Sequence, residues 1–161
     1  MIRIGILGDI GSGKSYVAKN FGYPVFNADR EVGKIYQSNK KIFNKLKKSL
    51  PKYISSFPID KKEVSNAILS NKKNLSKIVK IVHLEIRKKL NVFLKKNKKK
   101  NLVILDIPLL LENKINNKND VLIYVDSKKK GILKRLKKRK NFNKKLLNKF
   151  KSIQLPNNVK R

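Results

Sequence analysis

An α/β fold with a parallel sheet is the architecture this sequence predicts, and three observations predict it. First, short apolar runs recur from Ile2 to Leu7, from Leu102 to Leu105 and from Val121 to Val125. Parallel strands covered on both faces read in this way. Second, the earliest run passes straight into a glycine-rich segment, which is followed by Tyr16, Val17, Ala18 and Phe21 at a spacing that suits a helix running to Gly22. Third, long polar stretches with helical periodicity separate the runs. At 161 residues the chain is one domain by size, long enough to bury a core.

The glycine-rich segment, Gly8-Asp9-Ile10-Gly11-Ser12-Gly13-Lys14-Ser15, fits G-x-x-x-x-G-K-[ST]. Strand, loop and helix is the setting that makes this pattern a phosphate-binding P-loop. Glycines let the backbone curl until successive N–H groups face one concavity at the positive end of the helix. Gly8, Gly11, Ser12, Gly13, Lys14, Ser15 and Tyr16 then form the ATP-binding set. Lys14 reaches the β- and γ-phosphates, and the Ser15 hydroxyl is a ligand for Mg²⁺. The competing reading is a glycine turn with Lys14 and Ser15 present by accident. Composition speaks against it, since four of only seven glycines lie between Gly5 and Gly13.

Net charge is +32, which would ordinarily point to nucleic acid. The cations, however, are 36 Lys against 6 Arg, scattered among abundant Asn and Ile. That reads as compositional drift, because base readout and phosphate forks favour Arg. No specific nucleic-acid partner is expected, only weak, salt-sensitive binding. The absence of cysteine excludes disulfides and thiolate metal sites, and with one His a structural zinc is not expected. A cytoplasmic location is expected, with no membrane span and no signal peptide. The ten acids are more telling, because Asp9, Asp29, Glu31, Asp106 and Glu112 fall within three short motif-like segments.

After the first helix, Tyr23-Pro24-Val25-Phe26-Asn27-Ala28-Asp29 reads as a short strand ending in a carboxylate. Asp29 serves either a site at the strand end or as a helix cap. Residues 38–100 read as a helical subdomain, and residues 1–37 with 101–161 as the core. Asp60 with Glu63 resembles a capping box. Ile68, Leu69, Leu75, Ile78, Val79 and Val82, continued by Ile86, Leu90, Val92, Phe93 and Leu94, suit further helices. His83, the only His, sits in this pattern beside Glu85 and Arg87. Leu102 to Asp106 is an apolar strand ending in Asp, either the Walker-B pattern, in which Asp106 holds Mg²⁺ directly or through water, or a strand-end cap. A fourth buried strand is expected from Val121 to Asp126. Gly131 to Phe150 is a basic helix-forming region in which Arg135 and Arg139 share a face, either for phosphate recognition or as a solvated surface.

Taken together, these segments resemble dephospho-CoA kinase, a P-loop family of the nucleoside-monophosphate-kinase-like group. The loop is similar to G-L-T-G-G-I-G-S-G-K-S, with Asp9 where Gly is usual, and Asn27-Ala28-Asp29 is similar to D-A-D. His83-Leu84-Glu85-Ile86-Arg87 is similar to H-P-x-x-R with Leu84 in place of Pro. Asp106-Ile107-Pro108-Leu109-Leu110-Leu111-Glu112 resembles D-x-P-L-L-F-E, and Gln154-Leu155-Pro156 matches a late Gln segment.

The resemblance implies a three-layer P-loop kinase fold with sheet order 2-3-1-4, a helical insertion at 38–100 that binds the CoA acceptor, and a lid-like helix near 131–150. It implies ATP- and Mg²⁺-dependent phosphorylation of the ribose 3′-hydroxyl of dephospho-CoA, giving coenzyme A and ADP. Lys14, Asp29 and Arg139 would be catalytic, with Asp29 the candidate base and Arg139, together with Arg135, clamping phosphate charge. Asp29, His83, Arg87, Asp106 and Leu109 would meet the acceptor. The enzyme would be a monomer or weak homo-oligomer. The family usually continues after the Gln segment into another strand and helix. With the chain ending at Arg161, the expectation is either a shortened reading frame or a four-stranded sheet with an exposed, self-associating edge. Rival readings are another small-molecule or nucleoside-monophosphate kinase, a lysine-rich nucleic-acid-binding protein with a residual nucleotide site, and an inactive shortened kinase.

Overall fold

The computed structural model describes residues 1–139 and 142–161. Contacts divide the chain into two units, residues 1–28, 90–142 and 153–161 in the first and 29–89 with 143–152 in the second.

The first unit holds the sheet. Strands β1 (Ile2–Gly8), β2 (Val25–Asn27), β3 (Leu102–Asp106) and β4 (Val121–Val125) lie in the order β2-β3-β1-β4. All three pairings are parallel, and the order is the 2-3-1-4 predicted from sequence. β1 and β3 are the inner strands, which is why their runs carry so few polar residues. Ile4, Ile6 and Ile104 pack with Ala18 of helix α1 (Lys14–Asn20), and Phe21, Val25, Leu102, Ile123 and Val125 surround them. The expected burial of the fourth strand is corrected. β4 is an edge of the described sheet, and Val121 and Leu122 remain 49% and 41% exposed because only β1 flanks the strand.

An ion pair fastens the loop that leads into β4. Arg3, on β1, places Nε 3.0 Å from Asp120 Oδ1, an ionic contact off the hydrogen-bonding direction. Its Nη2 donates to Asp120 Oδ2 at 3.0 Å and to Ile115 O at 3.4 Å. The two side chains are 14% and 2% exposed. Asp120 Oδ2 also accepts from Asn117 N at 2.9 Å, so one carboxylate ties the loop to itself and to the sheet.

The second unit is helical. It takes α2 (Ala28–Ser38) from its second residue, α3 (Lys40–Ser49), α4 (Lys61–Ser70), α5 (Lys72–Lys96) as far as residue 89, and α7 (Lys144–Lys151). Ile35, Leu46, Ile54 and Leu75 are its largest fully buried side chains. On α5 the buried residues Leu75, Ile78, Val82, Ile86 and Leu90 step by three or four, one face of a helix. Val92, included in that apolar pattern by sequence, falls off the stripe and is exposed. Asp60 caps α4 through Lys62 N at 2.8 Å, as expected. Glu63 does not complete a capping box: its carboxylate turns outward to Ser55 Oγ at 2.5 Å and Ser55 N at 3.1 Å. Three donors converging from the preceding loop outcompete the single N–H at the cap.

The basic region expected as a lid-like helix near 131–150 is divided between α6 (Lys129–Lys137) and α7, which packs on α4. Residues 140 and 141 of that span lie outside the described residues. The last helix, α8 (Asn157–Lys160), belongs to the first unit.

The Arg3–Asp120 pair supplies a stability prediction. Asp120→Ala leaves the Arg3 guanidinium without its counter-charge, and should lower unfolding stability by about 3 kcal/mol. Urea denaturation measures it, and a change below about 0.5 kcal/mol would mean that the pair behaves as a solvated surface contact.

Candidate functional site

The loop from Gly8 to Ser15 is shaped by its own backbone. Ser12 N donates to Asp9 O at 3.1 Å, closing the turn, and the N–H groups of Tyr16 and Val17 both reach Gly13 O at 3.0 Å, starting α1. Gly13 is left-handed at φ 104, a conformation costly for a residue with a side chain, and a Cβ there would meet nothing within 4 Å. That side of the loop is open. Among the described residues the N–H groups of Gly11, Gly13 and Ser15 have no protein acceptor.

The side chains of the loop follow its carbonyls. Lys14 Nζ donates to Asp9 O at 2.8 Å and Gly8 O at 3.1 Å. Asp9, the departure from the usual loop sequence, curls back so that Oδ1 accepts from Ile10 N at 2.7 Å. The Ser12 hydroxyl is buried with no hydrogen-bond partner. An orphaned buried hydroxyl, unpartnered amides and an open glycine face together fit a phosphate chain. Ser15 and Tyr16 are exposed at the first turn of α1.

Asp106 ends β3 beside this loop, since Gly5 of β1 lies opposite Leu105. It is buried, and Oδ2 accepts from Asn27 Nδ2 at 2.5 Å across the β2–β3 pairing. Its other oxygen, Oδ1, has no partner among the described residues. Ser15 and Asp106 thus offer one hydroxyl and one carboxylate, a donor set that suits Mg²⁺ carried largely by nucleotide phosphates. Among the described residues no three of His, Cys, Asp and Glu gather as a metal-holding group. Leu109 lies half-buried in the turn after β3. That turn is held from the C-terminal side, where Gln154 Nε2 donates to Pro108 O at 3.2 Å and Leu155 N to Glu112 Oε1 at 2.8 Å. Lys160, whose side chain is 3% exposed, donates to Gln154 Oε1 at 3.3 Å and lies 3.7 Å from Glu112.

Arg135 of α6 turns its guanidinium to the loop backbone, whereas Arg139 lies beyond the end of the helix and is exposed. The single helical face expected for this pair therefore ends before Arg139. Asp29, His83 and Arg87 belong to the second unit. Asp29 lies exposed in the first turn of α2 with Glu31. On α5, Arg87 Nε donates to His83 Nε2 at 3.3 Å, which requires a neutral imidazole. Burial and the Arg87 charge both hold the His83 pKa below its ordinary 6.5. Leu84, where a proline would stand in the resembling segment, is an exposed helical residue.

Sequence reasoning gave no role to three residues that hold these parts. Asn27 was visible beside Ala28 and Asp29, but its partner depends on the strand register. Ser127, whose Oγ accepts from Arg135 Nη2, and Lys160 left no signal, one an isolated serine and the other one lysine among 36.

A family model described as dephospho-CoA kinase matches residues 2–161. The chain belongs to the dephospho-CoA kinase family. It is a phosphotransferase of an ATP-dependent kinase family, and its reaction is the last step of coenzyme A biosynthesis. The dephospho-CoA kinase of Wolbachia sp. subsp. Brugia malayi (strain TRS) is 36% identical over 163 residues, 98% of this chain and 83% of the relative. That of Wolbachia pipientis wMel is 34% identical over the same shares. The crystal structure of TT1252 from Thermus thermophilus matches with a TM-score of 0.74 at 27% identity, covering 99% of this chain and 83% of that one. Membership decides against the nucleoside-monophosphate-kinase and nucleic-acid-binding readings that sequence had kept as rivals.

Two predictions follow from this geometry. Ser12→Ala removes a hydroxyl that makes no hydrogen bond within the protein, so melting temperature without nucleotide should hold or rise. ATP affinity should fall several-fold, and a melting temperature lowered by several degrees would show that the hydroxyl has a structural bond. For His83, the folded-state pKa lies below the unfolded value, so its neutral form favours folding. That stability is complete above pH 6.5 and declines as pH falls through the window between the two values. The imidazole C–H resonances should titrate below 6.5, and Arg87→Ala should move the midpoint upward; an unmoved midpoint refutes the pairing.

Proposed function

We propose that the loop from Gly8 to Ser15 holds ATP, and that its γ-phosphoryl group passes to the ribose 3′-hydroxyl of dephospho-CoA, giving coenzyme A and ADP. The observation that carries this reading is the pairing of β1 with β3. It sets a loop with unpartnered amides next to a buried carboxylate that has one oxygen to spare. In open parallel sheets, ligands collect at the carboxyl ends of such strands.

Lys14 and the amides of Gly11, Gly13 and Ser15 would stabilise the charge that spreads over the transferring group. Lys14 already bonds two loop carbonyls, so it would exchange them for phosphate oxygens with little movement of its Cα. Gly8, Ser12 and Tyr16 complete the nucleotide contacts. Ser15 would hold Mg²⁺, with Asp106 bound to it directly or through water; the ion would neutralise phosphate charge. Asn27 keeps the Asp106 carboxylate in one orientation. Arg139 would supply a further cation to the phosphates.

On the acceptor side, Asp29 is the base for the 3′-hydroxyl proton, and His83, Arg87, Asp106 and Leu109 contact dephospho-CoA. The residue 38–100 segment is the acceptor-binding subdomain. The support is chemical: Asp29 is one of only ten acids, and the His83–Arg87 pair presents a guanidinium suited to a phosphate of the acceptor. The same reading has the enzyme working in the cytoplasm, as its cysteine-free composition suggests, as a monomer or weak homo-oligomer.

Asp29→Asn tests the assignment of the base. The amide keeps the shape but takes no proton, so turnover with dephospho-CoA should fall on the order of 10²–10⁴-fold. ATP affinity, measured by calorimetry, should stay within about twofold. Equal losses in both would assign Asp29 to the metal or the fold.

A further inference from the structure

We propose that Arg135, anchored by Ser127, is a positioning residue that fixes the direction of the P-loop peptide groups from behind. The inference rests on that loop being the ATP-phosphate site. Arg135 Nε donates to Gly11 O at 2.8 Å, and Nη2 reaches Ser12 O at 3.4 Å. The second hydrogen of Nη2 goes to Ser127 Oγ at 2.6 Å. One planar guanidinium thus spans two consecutive carbonyls of the loop and the turn that follows β4. Ser127 is itself set by its N–H, which donates to Asp126 Oδ1 at 2.8 Å.

The consequence for the loop comes from peptide geometry. In a trans peptide the C=O and the following N–H point in opposite directions. Holding Gly11 O toward α6 turns the Ser12 N–H the other way, where it finds Asp9 O and closes the turn. Holding Ser12 O toward α6 likewise turns the Gly13 N–H away from the helix, on the stretch of loop where a Gly13 Cβ would meet nothing. A guanidinium on the carbonyl side also polarises these peptide groups, making their N–H ends better donors.

A second observation locates the same contact. A Cβ on Gly11, whose φ is +85, would stand 2.9 Å from Leu136 Cγ and 3.2 Å from Ile132 Cγ2. Ile132 and Leu136 are buried, so α6 lies directly on the loop at the residue whose carbonyl Arg135 takes. The apolar contact sets the distance and the guanidinium sets the orientation. Lysine could not replace it, since an ammonium lacks the rigid fork needed to span consecutive carbonyls.

The test uses the full chain with Arg135→Ala, Arg135→Lys, Ser127→Ala, the Ser127→Ala/Arg135→Ala double variant and a Lys14→Ala control. Calorimetry gives Kd and stoichiometry for ADP and ATP·Mg²⁺, and initial rates separate KM from kcat. Arg135→Ala should weaken ADP and ATP alike by about tenfold, and Arg135→Lys by nearly as much. Ser127→Ala should cost about threefold. The double variant should be no worse than Arg135→Ala, because the serine acts through the arginine. KM for ATP should rise with KM for dephospho-CoA unchanged. A merely structural role would instead lower the stoichiometry and leave Kd alone. ADP affinity intact while ATP affinity falls would overturn the proposal in favour of direct contact with the γ-phosphate. Additive losses, or Arg135→Lys behaving as wild type, would overturn it as well. If Lys14→Ala leaves both affinities unchanged, the loop is not the nucleotide site and the underlying reading fails. If Lys14→Ala weakens both and Arg135→Ala weakens neither, the brace alone fails.

Discussion

A peptide group has two ends, and a loop that offers its N–H ends to an anion must dispose of its carbonyls. That constraint governs the first unit. Strand β1 delivers the chain into the loop, and Gly13 O accepts from two amides of α1, Tyr16 N and Val17 N. Four further carbonyls are met by cations of the protein, Gly8 O and Asp9 O by Lys14, Gly11 O and Ser12 O by Arg135. Backbone groups left without partners are costly when buried, so amides held in this way are a standing preparation for a ligand. The sheet order serves the same end, because β3 brings Asp106 to the loop as its nearest inner neighbour.

The carboxylates show how a chain with 42 cations and 10 acids distributes its scarce charge. Asp120 and Glu112 tie loops to the sheet or the C-terminal segment. Asp60 caps a helix, and Glu63 gathers a loop of serines. Asp126 meets both Ser127 N and Arg161. Asp106, buried at the end of β3, meets the side-chain amide of Asn27 rather than a cation, which leaves the carboxylate charge available to a metal. The lysine excess therefore lies on solvated faces, where charge is cheap, while acids sit where direction matters.

Much of the architecture was legible because it depends on local pattern. Glycine spacing, apolar runs ending in Asp, and the D-I-P-L-L-L-E segment each report a strand end and its chemistry within a few residues. The pairing of Asn27 with Asp106 was not legible, since it joins positions 79 apart and exists only in the β2–β3 register. The exposure of β4 was misread for a similar reason: an apolar run looks alike in an inner and an outer strand, and only sheet order tells them apart. Glu63 fitted a capping box by spacing, but spacing does not reveal competing donors in the loop before it. Arg135 was legible as a scarce arginine, though its spacing from Arg139 pointed toward a shared helical face rather than toward Gly11 O.

The fork of Arg3 carries a consequence for how far the lysine bias of this sequence can run. A guanidinium there satisfies Asp120 and the Ile115 carbonyl at once. An ammonium at the end of a shorter, rotating stem could satisfy either but not both, and would leave the other acceptor stranded in a nearly closed space. On the solvated helices, exchange between the two basic residues changes little. At position 3 the same exchange would be an error in shape with no change in charge. Substitutional tolerance in this chain is thus asymmetric: a drift toward lysine that passes unnoticed over most of its surface meets a steric and directional stop at Arg3.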